Sequence, residues 1–174
     1  MKNFLFEFFK ICIVVILQVS MINVLFAPIN YINFPIAIII IYIFTGQYSR
    51  SLYWSFFIGL LLGLFTYNRF GIDALTFLLI TIILNILFNN FFSNASYVSL
   101  VILGIIAHCI NILMVWLFHL LIPFMRITSM QYEYIIDFKL ILYQIFTNII
   151  FILFSYKLYL LYNSKIRRGS VYAK

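Results

Sequence analysis

The feature that most limits this chain is a succession of apolar runs with no polar interval long enough to hold a soluble domain. The runs cover about residues 5–26, 34–48, 52–67, 71–92, 97–122 and 138–162. Across 174 residues, 66% are hydrophobic and 9% are charged. A soluble domain carries about 25% charged residues. One globule of this size cannot hide that much apolar surface, so lipid must act as the solvent. In lipid every backbone polar group needs an internal partner, which leaves helices or a closed barrel. The runs are continuous rather than alternating, so they read as helices. The expected fold is an all-α polytopic membrane protein, a six-transmembrane-helix bundle forming a single domain over 1–174.

The second and third runs are shorter than the ~20 residues of a full crossing. They must thin the bilayer, extend into their turns or be shielded by neighbours. A five-helix count, with these two as one re-entrant pair, is the alternative. The first run follows a basic start and has no small-x-small cleavage site after it, so it reads as an uncleaved helix. Gln18, Ser20 and Asn23 interrupt it and should face other helices. Cys12 and Cys109 lie in apolar runs and read as buried thiols without a disulfide.

The net charge of +7 is no nucleic-acid signature, because the cations are few and sit mainly near the chain ends. With six helices, Lys2, Lys10, Arg50, Lys165, Arg167, Arg168 and Lys174 share one side. Arg69, Arg126 and Lys139 lie on the other. That bias puts both termini in the cytoplasm. It also suits contact with anionic headgroups of the lipid bilayer. Residues 126–137, with two of the four acids, then face outward. Tyr156, Tyr159 and Tyr162 form an aromatic belt.

Several constellations stand out. Gly59-x-x-x-Gly63 puts two glycines on one helix face, where another helix can come close. Packing within the chain is the ordinary reading, and a partner interface or pocket wall the alternative. Asp73 follows Gly71 at a helix start, where free N–H groups and the helix dipole favour an anion. Arg69 could pair with it. Gly104, His108, Asn111 and Val115 form a stripe that His119 extends. The two histidines are ~16 Å apart along the helix and cannot share a metal as a local pair. Thr81 with Asn85, and Gln144 with Asn148, are i,i+4 pairs suited to interhelical bonds. With His108 and Asn111 they could wet one polar cavity. No hydrolase, zinc-protease or phosphate-loop motif is present. Four acids leave little for general acid–base chemistry. No cofactor or metal is expected.

Three stretches carry a resemblance. They are Phe34-Pro35-Ile36-Ala37, Gly59-Leu60-Leu61-Leu62-Gly63 and Phe70-Gly71-Ile72-Asp73-Ala74-Leu75. Together they resemble the MreD family, the membrane subunit of the bacterial rod-shape (cell-elongation) machinery. That family commonly has an acid where Ile36 and Gly63 stand here, so no role resting on those acids carries over. The resemblance implies a non-enzymatic scaffold in the bacterial inner membrane that regulates cell shape and peptidoglycan synthesis. Its implied partners are an MreC-like single-span periplasmic protein, an MreB-like filament and, indirectly, a wall-synthesis transpeptidase and glycosyltransferase. Pro35, Gly59, Gly63, Gly71 and Asp73 would then be packing or partner positions. The chain is also similar in architecture to the six-helix substrate-binding subunits of energy-coupling-factor vitamin transporters. A small lipid-modifying enzyme is a third reading, without a catalytic constellation to support it.

Overall fold

A computed structural model describes residues 2–24, 29–65, 71–92, 96–124 and 138–171; the side chains at 2–4, 21–24, 29, 119, 121–124 and 163–171 lie outside the description. Among the described residues the chain forms six α-helices and one 3-10 turn. They are α1 (Lys2–Val24), the 3-10 turn (Ile29–Tyr31), α2 (Phe34–Phe44), α3 (Tyr48–Phe65), α4 (Ile72–Phe91), α5 (Tyr97–Phe124) and α6 (Phe138–Val171). Among the described residues three stretches are long and apolar enough to cross a membrane: Ile72–Phe91, Tyr97–Phe118 and Phe138–Tyr162. Phe91, Phe138 and Phe146 are among many large apolar side chains left exposed. A surface of that kind is stable against lipid rather than water.

Helix α2 is the hub. It touches each of the other five helices, and seven of its eleven residues are buried. Those five follow one another around it in the order α1, α3, α4, α5, α6. Among the described residues α6 makes no contact with α1, so the ring stays open there. Isoleucines fill the centre: Ile36, Ile39 and Ile40 of α2 are fully buried beside Ile11, Ile58, Ile80 and Leu103. In lipid no hydrophobic effect drives helices together, so the close fit of these branched side chains supplies dispersion instead.

Helix α2 ends at Phe44, where its unbroken apolar residues stop, and α3 starts at Tyr48, four residues before the run at 52. The cause is a glycine cap. Gly46 sits at φ +73°, Gln47 N–H donates to Tyr42 O at 2.8 Å, and Gly46 N–H donates to Ile43 O at 3.0 Å. This closes the last turn as a Schellman motif. At the other end of the chain, α6 runs on to Val171, past the aromatic belt.

The largest interhelical contact joins α3 to α4. Gly59 makes it possible. A Cβ placed there would lie 2.5 Å from Ala74 N and 2.8 Å from Asp73 C, and nearer still to Ala74 Cα. The glycine therefore meets the backbone of α4's first turn, within the same chain. Gly63, one turn on, is also buried. Gly71 precedes α4 at φ +84°, a conformation that favours glycine.

Two expectations change. Cys109 is exposed and Cys12 half-buried, because α5 turns Leu103, Gly104, Ala107 and His108 inward instead. Ser20 is exposed and bonds Leu17 O in its own helix rather than a neighbour. Asn23, Arg69 and residues 126–137 fall outside the described residues or side chains, as do the side chains of His119, Lys165, Arg167 and Arg168.

Candidate functional site

Three of the buried polar residues, Gln18, His108 and Asn148, gather where α2 begins. An eleven-residue helix is about 16 Å long, roughly half a bilayer core. One end of such a helix, and the irregular backbone leading to it, therefore needs partners inside the protein. Two amides on distant helices provide them. Gln18 on α1 donates from Nε2 to Ile32 O at 3.1 Å and accepts from Phe34 N–H at 2.8 Å. Asn148 on α6 accepts from Asn33 N–H at 2.7 Å and donates to Tyr31 O at 2.8 Å. Its second N–H goes to Gln144 O, also at 2.8 Å. Asn33 caps the helix in turn, its Oδ1 accepting from Ile36 N–H at 3.2 Å. Pro35 occupies the first turn, where a missing N–H costs nothing. The result is a clasp across residues 31–34, with Gln18 6% and Asn148 1% exposed.

His108 lies beside this clasp, 4% exposed and against Asn148. Its Nδ1 is 3.1 Å from Gly104 O. A carbonyl only accepts, so the neutral ring carries its proton on Nδ1 and presents the Nε2 lone pair. Nε2 has no hydrogen-bond partner among the described residues.

The structure thus brings His108 and Asn148 together, with Gln144 taking part only through its backbone carbonyl. It does not join them to Thr81 and Asn85. Thr81 donates to Phe77 O at 2.8 Å within α4, and Asn85 accepts from Asn89 at 3.4 Å in the same helix. Among the described residues α4 does not touch α6, since α2 and α5 come between. A single cavity wetted by all six residues is therefore not formed, and Asn111 is half-buried on α5. Gln18 and Asn33 are the members that residue pattern underrates. The signal for Asn33 was present, since Asn two residues before Pro is a helix-start signature.

A second polar cluster sits at the opposite end of α2. Lys10 Nζ is 2.9 Å from Glu7 Oε1, and Trp54 Nε1 donates to Glu7 Oε2 at 3.1 Å. Arg50 donates to Gln47 Oε1 at 2.7 Å. Aromatic contacts layer this end: Tyr42 on Trp54, Phe44 on Phe88 and Tyr156, and Tyr97 on Tyr156. Among the described residues no three metal-ligating side chains come together.

Comparison with protein-family models, with curated proteins and with solved structures returned no match. The class defined by the fold alone is a helical membrane protein with a half-length central helix.

Proposed function

We propose that the chain is a non-enzymatic scaffold subunit of the bacterial inner membrane, acting in cell elongation through an MreC-like single-span periplasmic partner. In this reading all six helices belong to the membrane domain and both termini are cytoplasmic. The observation that carries it is where the polar interior is used. Gln18, Asn33 and Asn148 bond the chain's own backbone at the start of α2. Supporting it, the three stretches of the resemblance coincide with joints of the fold. Pro35 stands at the start of α2, Gly59 against α4, and Gly71 at the left-handed turn before α4.

One feature favours the transporter reading. A half-length helix with a buried N-terminus is how some transporters meet anionic substrates. Here, however, the first N–H groups of α2 are already taken by Asn148, Gln18 and Asn33.

Affinity purification from native membranes tests the proposal. Retention of a single-span protein with a large periplasmic part is expected. Co-purification of a pair of ATPases with a coupling subunit would favour the transporter instead. For the topology, Ser129→Cys in a Cys12→Ala, Cys109→Ala background should react with impermeant reagent from outside. Reaction only after permeabilisation would reverse the orientation.

A further inference from the structure

We infer that the opening between α1 and α6 is a binding groove for one anionic phospholipid. The inference holds whether the chain acts as a scaffold or a transporter subunit. Helices α1 and α6 both flank α2 yet, among the described residues, do not touch each other. The floor of the gap is α2 itself. Its half-buried residues Phe34, Ile38, Ile41 and Tyr42 recur at helical spacing on one stripe, while the rest of the helix is covered. Phe34 reaches the α6 wall through an edge-on contact with Phe151, at 5.0 Å between centroids.

The groove is closed at one end and polar at the other. The Gln18–Asn148 clasp bridges its walls through residues 31–34. Along α6, Asn148 stands about 15 Å from Phe138 and about 21 Å from Tyr162, near the middle of the spanning stretch. From there to the end of α2 is about 16 Å, the depth of one leaflet's hydrocarbon. At the mouth, Gln47 N–H donates to Tyr42 O at 2.8 Å and Arg50 donates to Gln47 Oε1 at 2.7 Å, which ties the guanidinium to the end of α2. Glu7 is already engaged by Lys10 and Trp54. Arg50 is exposed, donates to the neutral Gln47, and forms no ion pair among the described residues. A guanidinium with no carboxylate bonded to it, at the top of a leaflet-deep apolar slot, matches a headgroup phosphate. A headgroup without a compensating cation keeps its net negative charge and strengthens the match.

Native mass spectrometry of the detergent-purified protein tests this, with phosphatidylglycerol and phosphatidylcholine of equal chain length as probes. One phosphatidylglycerol should be retained about fivefold over phosphatidylcholine. Arg50→Gln should bring that preference close to one. Ile38→Trp fills the slot and should remove the bound lipid. Arg50 is exposed, so its variant decides the matter if Ile38→Trp does not fold. Equal retention of both lipids by the wild type would overturn the proposal. So would a preference unchanged by Arg50→Gln, or lipid retained by a folded Ile38→Trp. Disulfide dimers of Ile38→Cys, in a Cys12→Ala, Cys109→Ala background, would overturn it too, by making this face a contact between two copies.

Discussion

Gly59→Leu is expected to remove most of the folded protein from the membrane, with abundance at least several-fold below wild type. Any side chain at Gly59 meets backbone, with Ala74 N 2.5 Å and Asp73 C 2.8 Å from the first added carbon. Backbone cannot swing aside as a side chain can. Helix α3 must therefore part from α4 along their shared face, the largest in the fold. Alanine should already cost about 1–3 kcal/mol by overpacking, and leucine more. Gly104→Ala is the internal control. Its added carbon meets the tip of Ile152 at 3.3 Å and Ile149 at 3.8 Å, both able to adjust. Thermal unfolding in detergent should rank the variants as wild type near Gly104→Ala, then Gly59→Ala, then Gly59→Leu. A Gly59→Leu protein as abundant and stable as wild type would show that the α3–α4 approach is not as close as described.

Asn148→Leu carries the second large effect. The leucine keeps the volume but strands Asn33 N–H and Tyr31 O in the interior, along with a Gln144 carbonyl that keeps its helical role. Each stranded buried group costs about 1–3 kcal/mol. Gln18→Leu strands Phe34 N–H and Ile32 O and should cost a comparable amount. Both amides hold one short segment, so the double variant should cost less than the sum of the two singles, because freeing one arm lets the segment relax. Steric trapping or detergent unfolding would measure the cycle. Strict additivity would mean that the two amides act separately.

The two halves of the chain were not equally legible in its residues. Helices α4 and α5 fall within two residues of the apolar runs that signal them, and Gly71 marks the start of the first. The end of α2 at Phe44 was legible, but the start of α3 at Tyr48 rather than Leu52 was not, because the turn between them is confined to the cap at Thr45, Gly46 and Gln47. Gly59 announced a close approach, and the structure supplies its partner, Ala74. The polar side chains announced only that each needs a partner. Thr81 finds one in its own helix, at Phe77 O. Asn148 finds one 115 residues away, at Asn33. That choice depends on which helices adjoin α2, and local spacing does not encode it.

The central claim is that the interior amides hold the start of α2 rather than waiting for a ligand. Residue-resolved hydrogen exchange at Asn33 and Phe34 addresses it directly. In the wild-type protein these two amides should exchange as slowly as those in the middle of α5. They should become fast in Asn148→Leu and Gln18→Leu respectively. Fast exchange of both amides in the untouched wild type, slowed only when a small molecule is added, would contradict the claim and mark the start of α2 as an open binding site.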